Sequence, residues 1–248
     1  MFIIFDNKTN KLVTRMSPEW QSGFDILHER ANAGQFVCPW CRHELWFREK
    51  SERCRSHFAH RSVLNCPYAC MSDEKMESVA LLYEWLSQQN VAEIKFLDDL
   101  KIEGWNYPAD VVIKLANGRK IAYWIFDRTP KHREALRSGL PKQIKRQILY
   151  TSSMRKFIAG NERLILSAGQ CELIDNQSDY DFPNVIGHLH FIDSSSRKIC
   201  ICRNVNNTHA REYTCNTREA SLSDCCVDQR TGEIVAPGDR KVALALDD

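Results

Sequence analysis

The sequence predicts an α/β chain of the α+β kind, with a metal-binding module near its start and a β-rich region at its end. Three observations carry that reading. Cys38-Pro39-Trp40-Cys41 is followed by His57-Phe58-Ala59-His60, which are the ligand types and spacing of a small zinc module. A stripe of Met76, Val79, Ala80, Tyr83 and Leu86 at helical spacing precedes short apolar stretches and the turn pair Asn117-Gly118, so one helix leads into hairpin-forming strands. Beyond residue 167 the chain is more polar, and its clearest feature is a pair of apolar runs, 185–192 and 197–205, around Asp193-Ser194-Ser195-Ser196. The expected divisions are 1–71 for an N-terminal hairpin, helix and zinc module, 72–167 for a core, and 168–248 for the β-rich remainder.

The totals set limits. A chain of 248 residues with 43% hydrophobic content can bury a core and is not of the disordered class. Eleven cysteines is a high count. No basic stretch followed by an apolar one opens the sequence, and no apolar run reaches bilayer length. The expectation is a cytoplasmic protein with no membrane association, whose thiols serve as metal ligands or core residues and not as a disulfide framework.

Each element has a local cause. Residues 1–16 alternate around Asn7-Lys8-Thr9-Asn10 and read as a hairpin. Ser17-Pro18-Glu19 is a helix start; Trp20, Phe24, Ile26 and Leu27 give that helix an apolar side, and Asn32-Ala33-Gly34 ends it. In the module at 36–70, the C-x2-C knuckle aims Cys38 and Cys41 at one centre. His57 and His60 are the favoured partners, with Cys54, Cys66 and Cys70 as alternates. Ser72 caps the next helix, with Asp73 and Glu74 in its first turn. Strands are expected at 93–97, 101–105, 110–113, 120–126 and 163–167.

Residues 128–156 read as basic and helical, interrupted at Leu140-Pro141. Arg128, Lys131, Arg133, Arg137, Lys142, Lys145, Arg146, Arg155 and Lys156 stand against the single acid Glu134, in a chain whose net charge is only +2. Such a cluster is what a phosphate-backbone surface requires, since counterion release supplies affinity without base readout. Arg137, Lys142, Lys145, Arg146, Arg155 and Lys156 are the candidate DNA contacts; the plainer alternative is the solvated face of an amphipathic helix. Arg42, Arg48, Arg53, Arg55 and Arg61, with Trp40, Trp46 and Phe47 near them, extend the same possibility across the module.

The order of these pieces resembles the CoiA-like competence protein family. The resemblance covers roughly 36–167. It rests on Phe36-Val37-Cys38-Pro39-Trp40-Cys41, His57-Phe58-Ala59-His60, Glu77-Ser78 on a helix, Ala109-Asp110-Val111 opening a strand, an apolar strand after a Gly turn, and Arg146 with Tyr150. It implies a zinc module joined to a restriction-endonuclease-like core, a mixed sheet flanked by helices, and metal-dependent cleavage or processing of DNA. In such cores a helix Glu, a strand Asp and an acid-x-Lys or acid-x-Gln pair on the next strand hold Mg²⁺ or Mn²⁺.

Glu77 and Asp110 match the first two roles. Trp124 and Phe126 occupy the third, where neither side chain can ligate a cation, and Asp127 lies on the opposite face of that strand. Leu81 and Pro108 also depart from the family's usual His and Arg. The resemblance therefore implies a DNA-binding subunit with a degenerate nuclease centre, beside a helicase, ATPase or nuclease in uptake, recombination or anti-phage defence. An active Mg²⁺- or Mn²⁺-dependent deoxyribonuclease using Glu77, Asp110 and Asp127, and a protein scaffold that never touches DNA, are the rivals.

The tail offers one further candidate metal site, His188, His190, Cys200 and Cys202, against the plainer reading of buried cysteines and a half-exposed histidine. A hairpin folded about Ser195 sets His190 against Cys200 and His188 against Cys202, which puts all four side chains on one face. Cys215, Cys225 and Cys226 have no ligand spacing.

Overall fold

The computed structural model describes residues 3–15, 17–21, 23–49, 52, 56–62, 66, 71–98, 109–127, 144–155, 157–158, 163–165, 186–209 and 212–238. The chain divides into two compact units, Met1–Ala80 and Leu81–Asp248.

In the first unit the expected hairpin is β1 (Ile3–Asp6) and β2 (Lys11–Thr14), paired from Ile3 with Thr14 to Asp6 with Lys11. β3 (Phe36–Val37) adds on the other side of β1. The single helix expected after Ser17 is two, α1 (Pro18–Gln21) and α2 (Phe24–Asn32). Gly23 separates them at φ +114, a backbone conformation open to glycine and strained for other residues. Trp20 and Leu27 are buried as the apolar side requires, whereas Phe24 and Ile26 are exposed. β4 (Leu45–Arg48) pairs antiparallel with β5 (His57–His60). Phe58 on β5 gathers the small core: its ring lies 5.1 Å from Trp20, 5.3 Å from Phe36 and 5.0 Å from Phe47.

The β1–β2 turn is fastened by a buried carboxylate. Asp6 Oδ1 accepts from the Lys8 backbone N–H at 2.9 Å and from Gln35 Nε2 at 2.8 Å. Oδ2 accepts from Thr9 Oγ1 at 2.9 Å and pairs with Arg30 Nη2 at 2.6 Å. Burial alone would raise the Asp6 pKa, but the hydrogen bonds from Gln35, Thr9 and Lys8 outweigh it and hold the group below its ordinary 3.8. Its stabilisation is therefore full above the unfolded value of about 3.9 and is lost as pH falls through the lower folded value. Removing one partner of such a pair costs about 3–5 kcal/mol. Asp6→Asn is expected to show that deficit in urea unfolding at pH 7, and the gap to wild type is expected to shrink below about pH 4. A gap unchanged from pH 7 to pH 3 would contradict this account of Asp6.

The second unit is built on one mixed nine-stranded sheet, ordered β10-β11-β14-β13-β12-β9-β8-β7-β6. The helix predicted after Ser72 is α3 (Asp73–Ser87), with the Lys75 backbone N–H donating to Ser72 Oγ at 3.2 Å. β6 (Glu93–Asp98), β7 (Ala109–Lys114) and β8 (Lys120–Phe126) follow as an antiparallel meander. Tyr83 of α3 meets Phe96 of β6 edge-on at 5.5 Å. β8 is buried from Ile121 to Phe126, as befits a central strand covered on both faces.

β9 (Ile144–Thr151) runs parallel to β8, pairing Lys120 with Ile144 through Phe126 with Tyr150. This corrects the basic helix expected here. The run from Ile148 to Thr151 is continuously buried, the mark of a central parallel strand, and so short an apolar run does not separate strand from helix by periodicity. The strand expected at 101–105 lies outside the described residues, as do residues 128–143.

β10 (Phe157–Ile158) and β11 (Arg163–Ile165) lie at one edge. The β-rich C-terminal residues add β12 (Ile186–Asp193), β13 (Lys198–His209) and β14 (Glu212–Ser221) to this same sheet, with β12 parallel to β9. A last hairpin, β15 (Cys226–Val227) with β16 (Ile234–Val235), reaches the β7–β8 end of it. Tyr123 Oη donates to the Gly232 carbonyl at 2.8 Å, and Lys145 pairs with Glu233 at 3.0 Å. Among the described residues no helix is long and apolar enough to cross a membrane.

Candidate metal centre

The knuckle forms where β3 ends. The Cys38 backbone N–H donates to the His43 carbonyl at 2.9 Å, and the Arg42 N–H returns to the Cys38 carbonyl at 3.0 Å. Arg42 closes the turn at φ +59, and its guanidinium lies 4.2 Å from the centre of the Phe5 ring. This tight loop turns the thiols of Cys38 and Cys41 to one side. The β4–β5 pairing, with Leu45 opposite His60, brings the end of β5 to the same place.

Cys38, Cys41, His60 and Cys66 converge there, each with one donor atom, all within 4.8 Å of one another. Cys38 Sγ and Cys66 Sγ are 3.8 Å apart, and Cys41 Sγ is 3.1 Å from His60 Nε2. A tetrahedral cation with metal–sulfur bonds of about 2.3 Å sets its sulfurs about 3.8 Å apart, so the Cys38–Cys66 edge already has the required length. The cluster can hold a metal ion. Burial, with the neighbouring Cys66 and Cys41 adding to it, pushes the Cys38 thiol well up from its ordinary value. Burial followed by the charge of His43 lowers the His60 pKa. That leaves its imidazole in the neutral, ligating form, while the thiol gives up its proton to a bound cation.

The favoured ligand pair is corrected at one position. His57 and His60 are three residues apart on β5, so their side chains project from opposite faces of the strand. His60 turns into the centre, His57 does not, and Cys66 takes the fourth place. The arrangement is Cys3His and not Cys2His2. The other alternates, Cys54 and Cys70, lie outside the described residues.

The acids of the implied nuclease site stand as follows. Glu77, on α3 within the first unit, pairs with Arg15 at 2.6 Å. Asp110 is buried at the start of β7, and its Oδ2 accepts the Ile125 backbone N–H of β8 at 2.7 Å. Trp124 and Phe126 are both buried in β8. Asp127 follows the end of that strand and is half-buried.

Of the candidate DNA contacts, Lys145 pairs with Glu233 at 3.0 Å and Arg155 with Glu219 at 2.5 Å. Both of those cations are already partnered by carboxylates. Arg137, Lys142, Lys156 and the side chain of Arg146 lie outside what is described.

The candidate metal site of the tail is not formed as that hairpin would place it. The β12–β13 register pairs His188 with Arg203, Leu189 with Cys202, His190 with Ile201 and Phe191 with Cys200. This is one residue away from a fold about Ser195, and with a side-chain period of two it places His190 on the opposite face from Cys200 and Cys202. The neighbouring Cys200 and Cys215, and then burial, push the Cys202 thiol up from its ordinary value instead. Cys215 could not be placed from sequence because its approach depends on the β13–β14 pairing and the bulge within it.

Comparison with family models, with curated proteins and with solved structures gave no match to this chain.

Proposed function

We propose that the chain is a zinc-stabilised, CoiA-like protein that binds DNA through a nuclease-like core without cutting it. Zinc is the ion of choice for the first site because three thiolates and one imidazole in a closed tetrahedral set suit a d¹⁰ cation and leave no open position for catalysis. The order of α3, a three-stranded meander and a parallel fourth strand supports a restriction-endonuclease-like core.

The observation that carries the non-cleaving reading is in β8. Buried Trp124 and Phe126 stand where a hydrolytic site needs an acid and a Lys or Gln. Asp110, the matching strand acid, accepts a backbone N–H of that same strand. A carboxylate so engaged has less capacity for Mg²⁺, and no acid on β8 supplies what is missing. DNA contact falls to the basic segment 128–156, and within it to Arg137, Lys142, Arg146 and Lys156, since Lys145 and Arg155 are spent on Glu233 and Glu219. The protein then acts in the cytoplasm as a subunit beside a helicase, ATPase or nuclease.

Purified protein mixed with single- and double-stranded DNA in Mg²⁺ or Mn²⁺ tests both parts. The expected result is salt-sensitive binding without cleavage. Changing Arg137, Lys142 and Arg146 together to Ala should weaken binding about tenfold or more at 0.1 M salt and flatten the salt slope by about three. Cleavage that Asp110→Ala abolishes would establish the deoxyribonuclease instead. Absence of binding to either DNA would leave a protein scaffold.

A further inference from the structure

We propose that the outer face of the β4–β5 hairpin, centred on Trp46, is a binding site for single-stranded DNA on which one unpaired base stacks. The site rests on the DNA-binding reading and adds to the basic segment 128–156 a contact in the first unit.

The hairpin has two unlike faces. Leu45 and Phe47 of β4 are buried, with His60 and Phe58 opposite them on β5. This inner face carries the aromatic core and the ligand His60. Trp46 and Arg48 alternate to the other side, where their ladder partners are Ala59 and His57. Glu44 and Arg61 continue that outer face, joined by a backbone hydrogen bond at 3.3 Å and an ion pair at 3.1 Å. Trp46 stands between these pairs and is 47% exposed. Ala59, opposite it, is too small to cover an indole. The Arg61 guanidinium lies 4.8 Å from the centre of the Trp46 ring. That guanidinium is itself held, by Glu44 and by the Ala31 carbonyl, which accepts from Nη2 at 3.2 Å. The indole is thus backed by a fixed cation while much of its surface stays in water.

Core packing does not account for this ring. Phe24, also exposed, stacks on Phe47 at 5.7 Å and so rims the core, whereas Trp46 points away from it. A protein partner that docks through a tryptophan buries it among further apolar side chains, and on this face the only other apolar residue is Ala59. A single strand needs what is present. Every base has a π face that can stack on an indole, and cations beside the ring meet the phosphates that flank the base. Arg48, two residues along β4, is exposed and has no ion-pair partner among the described residues. Residues 42–61 hold six Lys and Arg against three Glu, an excess of three positive charges, and Arg61 already offsets Glu44. His57, which the metal centre does not use, lies opposite Arg48 on the same face. A duplex cannot use the site, because its bases are stacked on one another and must be unpaired to offer a free face. A ring fixed in advance by Arg61 loses little freedom when a base arrives, which favours binding.

The test is fluorescence anisotropy of the zinc-loaded full chain with a labelled oligothymidine of about 15 nucleotides and a labelled duplex of the same length. Trp46→Ala is expected to weaken oligothymidine binding about tenfold or more and duplex binding less than about twofold, with its zinc retained. Trp46→Phe keeps a stacking ring and should stay within about threefold of wild type on the single strand. Arg48→Ala should lower the salt slope on the single strand by about 0.7. Photocross-linking of a 5-iodouracil oligonucleotide to the unaltered chain should map to Trp46, and this serves if Trp46→Ala does not fold. If DNA is bound but Trp46→Ala leaves the single strand unaffected, or weakens both DNAs equally, this site is overturned while the DNA-binding reading stands. A cross-link found only within 128–156 would have the same meaning. Absence of binding to either DNA by the wild-type chain would overturn both.

Discussion

Cys66→Ser is expected to lose the metal and unfold the first unit, while His57→Ala keeps both. The two substitutions separate the arrangement found from the one that the HFAH motif suggests. Cys66 Sγ lies 3.8 Å from Cys38 Sγ within the four-residue cluster, and His57 is outside it. A serine hydroxyl is a poor ligand for a soft cation, and the three remaining donors would leave an open, hydrated position. Structural zinc contributes about 10–16 kcal/mol of apparent binding energy in small modules, far more than a unit of this size holds in reserve. The loss should appear as absent zinc, a collapsed near-ultraviolet signal and rapid proteolysis confined to residues 1–80. Zinc retained at one per chain in Cys66→Ser, or lost in His57→Ala, would return the centre to Cys2His2.

Gly232→Ala should be the most damaging single-methyl change in the second unit. Gly232 sits at φ +72, and a Cβ built there would come within 2.4 Å of Ile121 Cγ1 and 2.6 Å of its Cδ1. Ile121 is fully buried in β8, so its side chain has no space to retreat into. The left-handed backbone costs about 1–2 kcal/mol for a residue with a Cβ, and forcing an extra carbon into a packed core costs about 1–3 kcal/mol more. The last hairpin would lift, and with it the bond from Tyr123 Oη to the Gly232 carbonyl. Gly118 provides the control, because it has φ +83 but nothing within 4 Å of its would-be Cβ. In urea unfolding Gly118→Ala should lose only the backbone term, about 1–2 kcal/mol, and Gly232→Ala about 2–5 kcal/mol. Equal losses would show that the hairpin does not pack on Ile121 as described.

The sequence was most legible where one local rule decides the outcome. The Asn7–Asn10 turn, the Ser72 cap, the Asn117-Gly118 hairpin and the C-x2-C knuckle each form from residues adjacent in the chain. It was least legible where a partner far along the chain decides. Residues 144–151 carry cations and two isoleucines that suit either a helix or a strand. They become β9 because β8 and β12 flank them on either side. His57 and His60 look like a matched pair in sequence, yet a strand sends positions three apart to opposite faces, and only the pairing with β4 shows that they sit on one. Cys66 had nothing to distinguish it from Cys54 and Cys70 until its sulfur was seen beside Cys38. The tail hairpin shows how fine the margin is, since one residue of register puts His190 on the opposite face from Cys200 and Cys202. The presence of Trp124 and Phe126, and of no acid, within 120–126 was visible in sequence. The engagement of Asp110 by Ile125 was not, because it depends on how β7 lies against β8.

X-ray absorption at the zinc edge of the purified chain tests the metal centre most directly. The structure predicts one zinc per chain with three sulfurs at about 2.3 Å and one nitrogen at about 2.0–2.1 Å, unchanged in His57→Ala. Two sulfurs with two nitrogens, or protein that is folded and free of zinc, would contradict it.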